Sequence, residues 1–214
     1  MLELSLTQAR NLHLAAQGLL APPARPATAA ALRACIARMR LLQIDTIHVV
    51  ARSPYLVLFS RLGHYPMQWL DQALARAHVF ETWAHEACFA PMQDLSLHRG
   101  YNAASRRHWG LTRGHDCHHK QRAQLDKLLD RIRTGGPVKS SDFERSDGRS
   151  GGGWWGWKDE KLWLEALFAR GELMVARREN FQRVYDLAER VCPALPRIEL
   201  PRADDVHGIF VEHG

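Results

Sequence analysis

Gln43-Ile44-Asp45 sets a carboxamide and a carboxylate two residues apart. In an extended segment such side chains share a face, so Gln43 and Asp45 point one way and Ile44 the other. Leu41, Leu42 and Ile47 flank the pair with apolar surface. A carboxylate held there can take a proton from water while the amide keeps that water in place. The same residues also fit a plain structural role, in which Asp45 caps a following turn and Gln43 satisfies a backbone group. A second pair of acid/base types, His85 and Glu86, lies in Trp83-Ala84-His85-Glu86-Ala87. Adjacent side chains diverge in both helix and strand, so only one of these two can face a common site.

Other residues suggest contacts rather than bond breaking. Lys158, Lys161 and Glu165 share one face of a predicted helix, opposite Leu164, Leu167 and Phe168. On a recognition helix the two lysines would approach phosphates, and Arg177, Arg178 and Arg183 on the hairpin that follows would reach the backbone or a minor groove. A charged face is also what plain solvation produces. Trp154, Trp155 and Trp157 cannot all point one way; core packing accounts for some, and an exposed one could stack on a base. His115, Cys117, His118 and His119 carry metal-binding side chains, but neighbours in sequence seldom supply three ligands to one tetrahedral ion. No metal and no other cofactor is expected.

The elements that must position these residues are mostly helical. Ser5 and Gln8 form a capping-box spacing ahead of a helix over 7–20. The prolines at 22, 23 and 26 enforce a turn. Thr28 then caps a helix carrying Leu32, Cys35, Ile36 and Met39 at i, i+3, i+4 and i+7. Residues 41–50 read as extended, 54–63 and 66–77 as short helices, and 79–90 as ambiguous with a lean to strand. Residues 91–118 read as a basic, turn-rich connector with one or two helices. Leu125, Leu128, Leu129 and Ile132 mark a helix over 119–133 that Gly135-Gly136-Pro137 stops. Val138 is a short extended piece, and Ser141 with Glu144 spaces a capping box over a short helix. Gly148–Gly153 is a loop, 158–170 a helix ended by Gly171, and 172–176 with 181–187 a hairpin turning near Arg178-Glu179-Asn180.

The order over 119–187 is helix, short extended piece, short helix, helix, hairpin, which is the order of a winged helix. The first half can be a second, less regular copy. The expected fold is therefore mainly α with small β-hairpins, in a tandem winged-helix architecture. Its parts are an N-terminal module (1–95) carrying Gln43-Ile44-Asp45, a basic connector (96–118), a second winged helix (119–190) and an irregular tail (191–214).

A chain of 214 residues has room for one large domain or two small ones, and 46% hydrophobic content excludes a disordered chain. Arg52 interrupts the best apolar run, so no segment reaches the roughly 20 residues of a membrane span. The start, Met1-Leu2-Glu3, does not read as a signal peptide. Cys35, Cys88, Cys117 and Cys192 form no CxxC, which predicts reduced thiols and a cytoplasmic protein. The net charge of +6 sits in residues 97–149, where twelve Lys/Arg face six Asp/Glu, and this favours a polyanion partner.

Four stretches together resemble one family. They are Ala9–Leu19, then Leu41–Ile47 with Val50–Leu56, then Trp83–Phe89, then Asn180–Leu187. Over residues 5–192 the chain is similar to the winged-helix DNA glycosylases typified by AlkZ and YcaQ (AlkX). The resemblance implies tandem winged helices around a DNA groove and metal-free hydrolysis of the N-glycosidic bond of N7-alkylated purines. In the YcaQ branch it also implies unhooking of interstrand crosslinks. The family's catalytic Gln-apolar-(Gln/Asp) triplet maps onto Gln43, Ile44 and Asp45, and Asp in the third place is similar to the YcaQ branch. In that setting Asp45 activates water and stabilises the oxocarbenium-like sugar, Gln43 positions, and His85 or Glu86 supports the pair. Arg52, Ser53, Lys158, Lys161, Arg177, Arg178 and Arg183 contact DNA.

The implied partner is duplex DNA with alkylated or crosslinked purines, handled by a monomer at the bacterial nucleoid. Family members continue well past this chain. The motifs fade after about Cys192 and Ala203–Gly214 looks unrelated, so a C-terminally shortened member is expected. The competing readings are a non-catalytic winged-helix DNA-binding protein (a regulator or an inactive remnant) and a winged-helix protein-interaction module. A regulator would dimerise on a palindrome, and neither end of the sequence shows a dimerisation helix.

Overall fold

The computed structural model describes residues 3–45, 47–104, 108–143 and 159–195. Its first helix, α1 (Leu6–Ala16), begins with the capping box that Ser5 and Gln8 predict: Gln8 N–H donates to Ser5 Oγ (3.2 Å) and Ser5 N–H donates to Gln8 Oε1 (2.9 Å). Thr28 Oγ1 accepts from Ala31 N–H at 3.0 Å and starts α2 (Ala29–Met39), which buries Leu32, Cys35 and Ile36 as their spacing requires. Strand β1 (Leu42–Gln43), α3 (Ser53–Leu62), α4 (Gln68–Ala75) and the hairpin β2 (Val79–Trp83) and β3 (Ala87–Pro91) complete the first half. The sheet order is β1-β3-β2, antiparallel, with Gln43 opposite Cys88.

The second half follows a related order, with a third helix ahead of its short strand and a 3-10 turn where the first half has α3. It runs α5 (Leu95–Ala104), α6 (Trp109–Lys120), α7 (Arg122–Gly135), β4 (Val138–Lys139), a 3-10 turn at Ser140–Asp142, α8 (Asp159–Ala169), β5 (Leu173–Glu179), β6 (Gln182–Leu187) and α9 (Ala188–Val191). The sheet order β4-β6-β5 matches that of the first sheet: the short leading strand pairs with the last strand of the hairpin. Among the described residues the molecule is mainly helical with two small antiparallel sheets.

Several expectations shift. The extended segment over 41–50 contracts to Leu42–Gln43, because Asp45 Oδ1 accepts Ile47 N–H at 2.9 Å and turns the chain. Of the one or two helices expected within 91–118 there are two, α5 and α6, which occupy more of the span than turns do, and α6 packs along α8. The α7 helix starts at Arg122 rather than at 119, since Gln121 leaves helical geometry (φ −130°, ψ 35°). The second hairpin is longer than expected and turns at Asn180-Phe181, both at positive φ (48° and 66°), the handedness that a tight two-residue turn requires. Gly148–Gly153, Glu144, Trp154, Trp155 and Trp157 lie outside the described residues, as does the tail from 196 onward.

One apolar cluster runs through both halves, from Leu32, Ile36 and Leu70 to Leu164, Leu167 and Leu187. A smaller cluster joins Phe80, Ala90 and Leu95 to Met174 and Ala188. The tightest seam is between α6 and α8, where a Cβ on Gly114 would stand 2.6 Å from the Cβ of Ala169 and 3.5 Å from the Cα of Ala166. Gly114→Ala should therefore overpack this seam and cost about 1–3 kcal/mol. A thermal melt lowered by several degrees is the expected readout; an unchanged melt would mean that the helices part freely.

Candidate active site

Strand alternation presents the Gln43 pair. Leu42 and Ile44 are buried, Gln43 is exposed and Asp45 is half-buried. Ile44 N–H donates to Ala87 O at 2.7 Å, so the ladder to β3 extends one residue past β1 and fixes where the chain turns away. The β2–β3 turn carries His85 to this edge. His85 Nε2 lies 3.1 Å from Gln43 Oε1, and the amide oxygen accepts in the tautomer that carries the proton on Nε2. Asp45 spends Oδ1 on the turn, as the structural reading anticipates. Both roles are compatible, because a carboxylate has a second oxygen.

Glu86 diverges from His85, as adjacent residues must, and faces His108 instead (Oε2 to Nε2, 3.8 Å). His108 stacks on Trp83 with ring centroids 4.7 Å apart. Burial pushes the His108 imidazole pKa down, against the raising influence of Glu86. The sequence did not single out this Trp83–His108 platform behind the hairpin turn.

Beyond Asp45 the chain forms a short projection closed by an antiparallel bridge between His48 and Arg52. Arg52 lies over Phe181, with its guanidinium carbon 3.9 Å from the ring centroid, and Arg178 lies over the same ring at 4.3 Å. The turn of the second hairpin thus touches the base of the segment that follows Asp45. Ser53 begins α3 directly after Arg52, with Pro54 in the first turn.

Arg178 and Arg183 do not project as a DNA-facing wing. Their side chains are 7% and 12% exposed and converge on Glu81, whose side chain is 0% exposed. Arg178 donates from Nε and Nη2 to the two Glu81 oxygens (2.6 and 2.8 Å), and Arg183 Nε donates to Oε2 (2.8 Å). Arg183 also holds Glu165 (3.0 Å), whose Oε1 accepts from Tyr185 OH (2.9 Å). The cause is simple: a buried carboxylate from the first half needs both cations. Desolvation alone would raise the Glu81 pKa, yet Arg183 and Arg178 overcome it and hold the carboxyl below its ordinary value. Glu81 carries no local signal in the sequence, because its partners are 97 and 102 residues away.

Arg177 remains exposed and shares Glu179 with Lys139 (2.7 Å each). Lys161 is exposed on α8, and Lys158 lies outside the described residues. His115 is buried on α6, with Nε2 3.1 Å from Asn102 O and Nδ1 3.1 Å from Arg170 Nη1, whereas His118 pairs with Glu172 at 2.8 Å. All four cysteines are buried and free, and burial pushes the Cys88 thiol up to about 11. Among the described residues no helix is long and apolar enough to cross a membrane. Among the described residues, one cavity of about 60 Å³ is lined in part by His98 and Met174 and another of about 10 Å³ in part by Trp109 and Ala166; neither is lined by Gln43 or Asp45.

Comparison with known proteins agrees with the family resemblance. The chain has the fold of the DNA glycosylase AlkZ of Streptomyces sahachiroi, with a TM-score of 0.61 at 15% identity; the match covers 99% of this chain and 57% of that one. It also matches the family described as DNA glycosylase AlkZ-like over residues 36–212. That match begins after the Ala9–Leu19 stretch and continues past Cys192 into the segment that the motifs alone left unrelated. The chain belongs to the AlkZ-like DNA glycosylase family.

Proposed function

We propose that this chain is a monofunctional DNA repair glycosylase of tandem winged-helix architecture. It hydrolyses the N-glycosidic bond of N7-alkylated purines and unhooks interstrand crosslinks joined through such purines. The observation that carries the reading is the exposed Gln43 beside the half-buried Asp45 at the edge of β1, with His85 on the Gln43 amide. The architecture is supported by the related element order of the two halves and by their matching sheet orders.

The chemistry suits these groups. An N7-alkylated guanine is cationic and leaves readily, so the demanding species is the oxocarbenium-like sugar. A fixed carboxylate opposite that cation stabilises it and accepts a proton from the attacking water. Asp45 has an oxygen left for this after capping its turn. Gln43, steadied by His85, positions the water. Enzymes that flip a base need a pocket to receive it. A crosslinked base is tethered and cannot swing out, so a pair at an open edge fits that substrate. Lys161, Arg177, Arg52 and Ser53 are the proposed backbone contacts. Arg178 and Arg183 are not among them. The protein acts as a monomer on duplex DNA in the cytoplasm.

The turn-capping bond of Asp45 also fits a second reading, a winged-helix DNA-binding protein without catalysis. Incubation with a duplex carrying one N7-methylguanine separates the two. Abasic sites forming faster than in the protein-free control are expected. Retained duplex binding with no rate above that control would assign the chain to the second reading.

A further inference from the structure

The segment after Asp45 exposes more apolar surface than folding explains. Ile47, Val49 and Val50 are 67%, 86% and 84% exposed. The His48–Arg52 bridge leaves only Val49, Val50 and Ala51 at the apex, so the tip is short and braced rather than loose. Both ends are fixed. On one side Asp45 Oδ1 holds Ile47 N–H, and on the other Arg52 rests on Phe181. Three exposed branched apolar side chains gathered on one short segment point to a contact site.

The surroundings name the partner. From residue 46 to residue 70 the sequence has no Asp or Glu, and it carries Arg52 and Arg61. An apolar tip in a stretch free of acidic side chains suits a polyanion with an apolar interior, which is a base stack behind phosphates. The tip is also continuous with the candidate catalytic residues, since Ile47 is bonded to Asp45 itself. Branched aliphatic side chains that enter a groove can part neighbouring base steps and kink the duplex.

We infer that Val49 and Val50, backed by Ile47, form a wedge that enters duplex DNA at the lesion and unstacks the step beside it. This rests on the proposed glycosylase reading and deepens it. With a tethered base that cannot flip, opening the stack is the available way to bring the sugar within reach of Asp45. The wedge and the carboxylate are neighbours in the chain, joined by the hydrogen bond from Ile47 N–H to Asp45 Oδ1.

The test uses a duplex with 2-aminopurine next to a hydrolysis-resistant 2′-fluoro N7-methylguanosine. Binding by the wild-type chain should raise 2-aminopurine fluorescence about two- to fivefold as the step unstacks. A Val49→Ser/Val50→Ser double variant should keep its melting temperature, since both positions are exposed. It should lose the fluorescence rise and form abasic sites on the ordinary lesion about ten- to a hundredfold more slowly. Val49→Ile/Val50→Ile should restore both. Wild-type fluorescence in the serine variant overturns the wedge, whatever its activity. So does serine-sensitive binding of the tip to anionic phospholipid vesicles, or a serine-sensitive dimer, without a fluorescence change on DNA. A wild-type chain that unstacks the duplex but forms no abasic site leaves the wedge standing and removes the glycosylase reading.

Discussion

Asp45→Asn is expected to slow abasic-site formation by about 10²–10⁴-fold in a single-turnover assay while leaving the melting temperature unchanged. The two halves of that result come from two different jobs of one side chain. Oδ1 accepts Ile47 N–H and shapes the turn. Asparagine retains that oxygen and favours the same local bond, so the turn survives. The negative charge and the ability to accept a proton are lost, and both matter only when the sugar becomes cationic. Asp45→Ala removes the turn bond as well, and should therefore lose activity and about 1 kcal/mol of stability together. If Asp45→Asn kept the wild-type rate and only Asp45→Ala lost it, Asp45 would be a turn residue and the catalytic assignment would fail.

What the sequence made legible was local. The Ser5 and Thr28 caps, the Leu32/Cys35/Ile36 stripe and the opposed directions of Gln43 and Ile44 follow from side chains a few residues apart. What it hid was tertiary. The α6 helix reads poorly because its buried face includes Gly114 and His115, residues chosen by contact with α8 and Asn102 rather than by hydropathy. His85 reaches Gln43 through the pairing of β1 with β3, which no spacing rule encodes. Arg178 and Arg183 look like a basic wing until Glu81 is placed beside them.

Glu81→Gln should be the most destabilising of the substitutions considered, by about 3–5 kcal/mol, which is roughly 10 °C in a melt. Arg178 and Arg183 sit directly opposite each other on β5 and β6, and like charges so placed repel. The buried Glu81 carboxylate turns that repulsion into a three-membered cluster, and in doing so fastens the second hairpin to β2. Glutamine keeps the shape but offers one acceptor and a pair of N–H donors to guanidinium groups that only donate. Two cations then remain out of water, with Arg183 alone retaining Glu165.

The pH dependence follows from the lowered Glu81 pKa. A carboxyl depressed in the folded state stabilises fully above its unfolded value, near 4.5, and loses that contribution as pH falls through the folded value. The melting gap between wild type and Glu81→Gln should thus be constant near neutrality and narrow only on acidification below about pH 4.5. Glu81→Leu/Arg178→Met, which removes a charge of each sign, should be less destabilised than Glu81→Gln alone. Equal or additive losses in the double variant would mean that packing, not orphaned charge, sets the cost. Because Arg178 also lies over Phe181, and Phe181 under Arg52, a hairpin freed from Glu81 loosens the support under Arg52, at the far end of the segment that follows Asp45. Glu81→Gln should therefore lower activity even at temperatures where the chain stays folded.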